Sequence, residues 1–399
     1  MSLDLAALAQ PAETRIVLVV MDGLGGYADA SNGTELEEAA TPHLDALAAE
    51  GAVGLVEPVG PGITPGSGPG HLGLFGYDPL EFELGRGVLS AAGLEVKLEP
   101  GDVAARGNLA TLDAAGRITD RRAGRLPDAE ASEVVTALSA GIKIEGVEVE
   151  FVHEAQHRVL VVLRGPGLDP GVADTDPQVV GAEPRVPVAL HASAERTAEV
   201  ISELDEQVRA LLADHPRANV LLLRGFDSHR ALPSMQERYG LSPASVAIYP
   251  MYRGIARLVG MEVLPRPSDL DAQIQALRDN WDRFDYFFLH HKGTDSAGED
   301  GDRPAKIAAV EALDAAIPSL RELGPDVIVV TGDHSTPTQM AAHSWHPVPA
   351  LIWAERVGRD DVTQFGERWC RGGALGTRPT KDLMPIALAC AGRLAKYGA

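Results

Sequence analysis

The sequence predicts an α/β protein: a three-layer α/β/α core built on a mainly parallel sheet, with a smaller inserted α+β domain. Three observations lead to this class. The last third of the chain alternates helical and strand-like segments; three apolar strands far apart in sequence end in the same kind of polar ligand; and the middle, roughly 93–240, breaks the alternation with short β-rich segments and turn signals.

Taken in order, the apolar runs predict a strand at 15–21, a helix at 41–50, strands near 147–152 and 158–163, a helix at 193–214, and strands at 219–223 and 245–249. The final third reads as helix 268–281, strand 284–291, helix 304–322, strands 326–331 and 349–353, and helix 380–394. Thr41-Pro42, Ser268 and Thr380 with Asp382 supply helix starts. Strand and helix in alternation imply parallel strands covered on both faces. The first strand and the last third carry the same kind of ligand and are expected to share one sheet. That leaves 1–92 and 241–399 as one domain and 93–240 as an excursion from a loop, marked by turns such as Asp113-Ala114-Ala115-Gly116 and Gly165-Pro166-Gly167.

A length of 399 residues is long for one core and 45 % hydrophobic content is ample for two. No apolar run approaches the ~18 residues of a membrane span, and the apolar patch at 5–9 lacks a preceding basic region, so a soluble cytoplasmic protein is expected. Cys370 and Cys390 are too few and too scattered for a disulfide framework and read as core fillers. A formal charge of −22 disfavours nucleic acid and anionic membrane as partners. Against that background Arg106, Arg117, Arg121, Arg122 and Arg125 form a basic cluster suited to a small phosphate or carboxylate; the alternative is a solvated face on a hairpin.

The chemistry is concentrated at strand ends. Val329 and Val330 run into Thr331-Gly332-Asp333-His334-Ser335-Thr336-Pro337; strand 16–21 runs into Asp22-Gly23; strand 284–291 runs into Lys292-Gly293-Thr294-Asp295, followed by Glu299. The carboxyl ends of parallel strands form the crevice where α/β proteins bind ligands, so Asp22, Asp295, Asp333 and His334 are expected to converge. Asp22-Gly23-Leu24-Gly25-Gly26 is not a dinucleotide fingerprint, because the spacing is wrong and the Asp would repel a pyrophosphate. Residues 60–79 set one hydroxyl, Ser67, in a bed of Gly and Pro with His71 four positions on, the makings of a nucleophile beside a phosphate-approaching backbone or simply of a loop. Asp300 and Asp302 read as a charged turn. His343 and His346 precede another apolar strand, where either is a candidate ligand or a partner stacked on Trp345. Carboxylates and imidazoles without thiolates suit two Mn²⁺, Mg²⁺ or Zn²⁺ ions, a pair that clamps the oxygens of an in-line phosphoryl transfer.

As an ordered set, Asp22-Gly23, the Ser67 loop ending in His71, Lys292-Gly293-Thr294-Asp295, Gly332 to Pro337 and Ala342-His343-Ser344 resemble the archaeal-type cofactor-independent phosphoglycerate mutases of the alkaline phosphatase superfamily. Asn108-Leu109-Ala110-Thr111, Asp120-Arg121-Arg122-Ala123-Gly124-Arg125, Asp174-Thr175-Asp176-Pro177 and Tyr249-Pro250-Met251-Tyr252-Arg253-Gly254 also resemble that family. The resemblance implies an alkaline-phosphatase-like core and a mutase interconverting 3-phosphoglycerate and 2-phosphoglycerate through a phosphoserine, without 2,3-bisphosphoglycerate and with homo-oligomerisation left open. It implies one metal held by Asp22, Ser67, Asp333 and His334, and a second by Asp295, Glu299 and His343, with Mn²⁺ expected and Mg²⁺, Zn²⁺ or Co²⁺ as alternatives. Glu299 stands where the family more often has His, a change that bears on metal preference. Arg121, Arg122 and Arg125 are expected to grip substrate together with Asn108, while Asp120 acts as acid/base and Arg253 and Lys292 neutralise charge. Closure of the inserted domain is expected to keep water off the phosphoserine. A metal-dependent phosphohydrolase, or another phosphomutase, is the rival reading on the same residues. A non-catalytic descendant, a further alternative, would be signalled by lost ligands.

Overall fold

Ile16–Met21 is an unbroken apolar run rich in β-branched residues, and all six side chains are buried. A strand covered on both faces belongs at the centre of a parallel sheet. In the computed structural model, which describes residues 5–229 and 232–398, it lies there. The strands, in chain order, are β1 (Ile16–Met21), β2 (Ala52–Glu57), β3 (Val103–Leu112), β4 (Ile118–Asp120), β5 (Glu148–Ala155), β6 (Arg158–Arg164), β7 (Val220–Ser228), β8 (Pro243–Ser245), β9 (Glu262–Val263), β10 (Tyr286–His291), β11 (Val327–Thr331), β12 (Val348–Ala354) and β13 (Gly376–Pro379).

The chain divides into two compact units, Met1–Glu83 with Leu232–Ala399, and Leu84–Ala231. The first carries an eight-stranded sheet in the order β13-β2-β12-β11-β1-β10-β8-β9. Only the pairs made by β12, with β11 and β2, are antiparallel; the others are parallel. β1 pairs with β10 so that Met21 faces His291, and with β11 so that Val20 faces Thr331. This register sets the residues that follow, Asp22, Lys292 and Gly332, along one edge of the sheet.

The second unit holds a five-stranded antiparallel sheet in which β3 pairs with β4, β6 and β7, and β6 with β5. Helices Asp128–Gly141 and Glu195–Leu211 bury Val134, Leu138, Ile201, Leu204 and Val208 against Val103, Leu109, Val161 and Leu223. The joins expected at 92/93 and 240/241 lie at 83/84 and 231/232 instead. Helix Arg86–Gly93 packs on β3 and β7, and the Gly85 N–H donates to Asp227 Oδ2 at 2.7 Å, so this helix folds with the second unit.

Several expected elements shift. The strand expected at 245–249 is Pro243–Ser245, paired with Tyr286 to Phe288 of β10. Helix 380–394 becomes a short 3-10 turn Thr380–Asp382 followed by Leu383–Cys390, the chain leaving the helix through Gly392 at φ 68°. The largest difference is at 67–74. Rather than continuing as a Gly-Pro loop, the chain forms helix Ser67–Leu74. Pro69 is tolerated there because the N–H groups of a first helical turn have no intrahelical acceptor. Gly70 is required, because a Cβ would lie 2.3 Å from the Asp333 carbonyl oxygen. Asp302 is the N-cap of helix Arg303–Arg321, accepting from Ala305 N at 3.0 Å. Among the described residues, no helix is long and apolar enough to cross a membrane.

His157 of the second unit is buried. Burial, then the charges of Arg158, Arg122, Arg106 and Arg125, hold its pKa down at about 4. An unfolded histidine titrates near ~6.5. Between about pH 6.5 and pH 4, therefore, the unfolded chain takes up a proton that the folded one refuses, and stability falls as pH falls through that window. Thermal unfolding followed across it is expected to show a flatter pH dependence in His157→Gln than in the parent; equal slopes would place the titration elsewhere.

Candidate metal centre and nucleophile

The edge formed by the ends of β1, β10 and β11 becomes a site because the loops leaving it turn back on one another. Gly23 takes φ +61°, and a Cβ there would lie 2.5 Å from Thr336 Oγ1 and 2.7 Å from Asp295 Oδ1, so only glycine allows this approach. The Gly23 N–H donates to Asp333 Oδ1 at 3.0 Å, and Thr336 N donates to Gly25 O at 2.9 Å. Asp22, Asp295, Asp333 and His334 are all buried. They do converge, as expected from the strand ends.

Each of the innermost carboxylates has one oxygen engaged and one open. Asp22 Oδ2 accepts from Tyr252 Oη, lies 2.9 Å from Lys292 Nζ and 3.2 Å from His290 Nε2. Among the described residues, Asp22 Oδ1 and Asp333 Oδ2 carry no hydrogen bond although they are buried. His334 Nε2 lies 3.3 Å from each of these two oxygens, 3.9 Å from Asp295 Oδ1 and 3.3 Å from Ser67 Oγ. Thr336 Oγ1 donates its single hydrogen to Asp295 Oδ1 at 2.7 Å, so at its 3.0 Å contact with His334 it accepts from Nδ1–H. That bond directs Nε2 toward the carboxylates, as a metal-ligating imidazole requires.

Two overlapping groups of donors result, Asp22-Asp333-His334 and Asp295-His334-His343, each within 4.8 Å. His334 belongs to both groups, and its Nε2 lies nearer the open oxygens of the first, 3.3 Å against 3.9 Å to Asp295 Oδ1. Ser67 Oγ, 3.3 Å from His334 Nε2, lies beside that group. The second group adds Asp295 and His343, whose Nε2 is 3.6 Å from Asp295 Oδ1. Glu299 Oε1 is 3.8 Å from His343 Nε2 on a side chain that is 58 % exposed, so it borders this group rather than closing it. Open, buried carboxylate oxygens beside imidazole nitrogens form a hard O/N donor set, and these residues fit divalent ions such as Mn²⁺, Mg²⁺ or Zn²⁺.

The electrostatics follow from the crowding of charge. Burial raises the pKa of Asp22, but contacts with His290 and His334 and the charge of Lys292 outweigh it and hold the carboxyl well below the ordinary range. Burial lowers that of His334, but Asp333, Asp22 and Asp295 push it up to about 9. Burial also works against the charge of Lys292, 2.5 Å from Asp295 Oδ2, but Asp22 and Asp295 raise its pKa overall. Burial, then the charges of Asp22 and Asp333, drive Tyr252 well above the normal phenol value, so it remains a donor.

Three residues around this centre were not singled out from the sequence as parts of it. His71 Nδ1 lies 2.8 Å from Ser67 O and 3.2 Å from Asp333 Oδ2. Tyr252 and His290 lie with ring centroids 3.8 Å apart, tilted by 32°, and His71 stacks on Tyr252. The i, i+4 spacing of Ser67 and His71 was the available signal for one of them. His346 stacks with Tyr27 and Trp345 and sits 2.9 Å from Ser344 Oγ. Arg253 is buried and donates to the carbonyls of Ala247 and Leu264 at 3.1 and 3.0 Å, contacts that tie it to the scaffold.

In the second unit the basic cluster separates into parts. Arg121 is bound bidentate by buried Asp176, at 3.1 and 2.6 Å. Arg122 and Arg125 are exposed, and Arg117 lies at a turn, 3.3 Å from Gly181 O. Asp120 accepts from the backbone N–H groups of Arg122 and Gly124, both at 2.7 Å, so its carboxylate shapes the arginine loop. Asn108 is buried on β3 with its Oδ1 unbonded among the described residues.

The chain is similar to known proteins over nearly its whole length. The sequence model of the family described as 2,3-bisphosphoglycerate-independent phosphoglycerate mutase matches residues 48–218. Proteins named "Probable 2,3-bisphosphoglycerate-independent phosphoglycerate mutase" from Thermus thermophilus and from Deinococcus radiodurans are 52 % and 49 % identical, covering 99 % and 98 % of this chain and 98 % of their own lengths. Among solved structures, the cofactor-independent phosphoglycerate mutase of Thermoplasma acidophilum superposes with TM-score 0.72 at 31 % identity, over 95 % of this chain and all of its own. The PH0037 protein of Pyrococcus horikoshii reaches TM-score 0.83 at 28 % identity, over 97 % and 99 %. With half its residues identical to such relatives over nearly its whole length, the chain belongs to the 2,3-bisphosphoglycerate-independent phosphoglycerate mutases, a family of isomerases.

Proposed function

We propose that the protein interconverts 3-phosphoglycerate and 2-phosphoglycerate through a phosphoserine on Ser67, at a centre for two divalent ions, Mn²⁺ first among them, and without 2,3-bisphosphoglycerate. The observation that carries this reading is the placement of Ser67: half-buried, first in its helix, with Oγ 3.3 Å from His334 Nε2 beside the open oxygens of Asp22 and Asp333.

Asp22, Asp333, His334 and Ser67 would hold one ion, and Asp295 and His343, bordered by Glu299, the other. When bound, such ions supply Lewis acidity toward phosphoryl oxygens and make a serine hydroxyl easier to ionise. The first-turn N–H groups of helix Ser67–Leu74 point along the helix axis and favour a transferred phosphoryl group on the Ser67 side chain. Ser67 Oγ forms a bond to phosphorus as the bond from phosphorus to the C3 oxygen breaks; the serine proton leaves and the departing oxygen gains one. In the second half the C2 hydroxyl attacks phosphoserine, its proton is lost, and Ser67 recovers a hydrogen. Lys292, between Asp22 and Asp295, keeps a positive charge where the substrate brings negative charge.

The second unit supplies groups that recognise the substrate's charge. Arg122 and Arg125 are the exposed guanidiniums suited to carboxylate and phosphate; Arg121 and Asp120 hold the loop that carries them, and Asn108 offers a buried amide. Asp120 is therefore read as the former of the arginine loop in preference to an acid/base. A soluble small-molecule substrate and a role in cytoplasmic glycolysis and gluconeogenesis complete the reading.

An enolase-coupled assay on chelator-stripped protein tests it. Turnover of 3-phosphoglycerate that returns with Mn²⁺ and needs no 2,3-bisphosphoglycerate is expected, whereas release of free phosphate without 2-phosphoglycerate would make the site a hydrolase. Ser67→Ala is expected to lose turnover by at least about a thousandfold while its circular dichroism and melting point stay near those of the parent; retained turnover would sink the phosphoserine. Restoring Mn²⁺ to stripped protein is expected to raise the melting temperature, since an ion at ~100 times its Kd adds about 2.7 kcal/mol to stability; a melting curve indifferent to Mn²⁺ would remove the metal centre.

A further inference from the structure

Lys306 is one of the largest side chains to be completely buried, at 0 % exposure, on the fourth residue of helix Arg303–Arg321. Its ammonium has three hydrogens and three carbonyl acceptors: Gly23 O at 2.9 Å, Gly25 O at 3.1 Å and Thr336 O at 2.8 Å. Gly23 and Gly25 follow Asp22 in the loop leaving β1; Thr336 follows His334 in the loop leaving β11. A single cation thus ties together the backbones of the two loops that present the Asp22-Asp333-His334 donors. Nothing in the proposed chemistry uses it, and a buried lysine is expensive to keep.

The surroundings are built for that charge. Buried Glu35 has Oε2 3.9 Å from the ammonium and accepts through Oε1 from Thr338 N at 2.9 Å and from Thr338 Oγ1. Buried Glu367 accepts from Gly26 N at 2.8 Å and Thr34 Oγ1 at 2.5 Å. Both carboxylates are therefore anchored to the same two loops or to the segment beside them. Without the ammonium, the carbonyls of Gly23, Gly25 and Thr336 would point at one spot with like partial charges turned inward. The loops would separate at that point, carrying Asp22 away from His334 and Thr336 away from Asp295.

We infer that Lys306 is a positioning residue for the metal centre: its ammonium clamps the β1 and β11 loops at the spacing divalent-ion binding requires, from behind the site and without contact to ion or substrate. This rests on the two-ion reading above. The role is thermodynamic and belongs to metal affinity, because the loops it joins carry the donors and not the arginines that meet substrate charge.

Isothermal titration of Mn²⁺ into chelator-stripped protein separates the possibilities. Lys306→Met, which keeps the stem and loses the donors, is expected to weaken Mn²⁺ binding by about 10–100-fold, the range for residues that orient metal ligands, with KM for phosphoglycerate at saturating Mn²⁺ changed by less than about threefold. Lys306→Arg, which restores donors and charge, is expected to recover part of the affinity. Leu320→Ala, a buried core truncation near the far end of the same helix, is expected to lower the melting temperature and leave Mn²⁺ affinity intact. Parent-like Mn²⁺ affinity in folded Lys306→Met, or an equal loss in Leu320→Ala, would overturn the clamp. No Mn²⁺ binding by the parent would instead overturn the metal reading itself. Should Lys306→Met fail to fold, Lys306→Gln, which keeps a donor group but no charge, takes its place: weakened Mn²⁺ binding supports the clamp and parent-like binding overturns it.

Discussion

Three buried carboxylates, those of Asp22, Asp295 and Asp333, meet at one end of a parallel sheet, and their mutual repulsion is the constraint to which the rest of the site answers. Two like charges ~4 Å apart at an effective dielectric near 20 repel by about 4 kcal/mol, a large fraction of the net stability of a domain. The protein meets this with cations: Lys292 between Asp22 and Asp295, and His334 raised to about 9 by the carboxylates around it. The same concentration of negative charge that is costly for protein alone is what makes the place favourable for divalent ions.

Convergence depends on strand register more than on any single contact. β1 lies between β10 and β11 with Met21 opposite His291 and Val20 opposite Thr331, so the next residue of each strand enters the same small volume. A one-residue slip would turn each of these side chains to the other face. Apolar packing of continuous buried strands therefore determines where the polar chemistry occurs. The loops beyond can close on one another because Gly23 lacks a side chain and because Lys306 meets the carbonyls they turn inward. Helix Ser67–Leu74 approaches by the same device, with Gly70 against the Asp333 backbone.

Each unit concentrates charge of one sign at one place. The first gathers acids at its strand ends; the second, although acidic as a whole, gathers Arg106, Arg122, Arg125 and Arg158 close enough to His157 to hold its proton affinity down. Asp120 and Asp176 are not rivals to that positive field but its framework. Each carboxylate fixes a backbone turn or a guanidinium, and Arg122 and Arg125 remain exposed. In a chain whose formal charge is −22, such a local reversal of sign requires structure to hold it.

Much of this was legible in the amino-acid order alone. Largely apolar runs leading into Asp22, Lys292 and Asp333 marked buried parallel strands and the ends where ligands were expected, because burial on both faces favours such runs and backbone direction then decides where ligands gather. What stayed hidden was whatever depended on contacts across the sheet. The helix at 67–74 was obscured by its own glycines and proline, which signal a loop locally and are tolerated only because neighbouring backbone packs against them. His290 and Tyr252 had no local pattern to distinguish them from core residues, and His71 had only its spacing from Ser67; they meet here because β10 and two helices bring their rings together. Lys306 looked like any lysine on a helix. The sequence by itself determined which residues have the chemistry to bind a hard cation and accept a phosphoryl group, since donor atoms are properties of side chains. Only the tertiary structure decided which oxygens are left open, which are already paired and which cation holds the loops in place, since those depend on distances of a few ångströms between residues hundreds of positions apart.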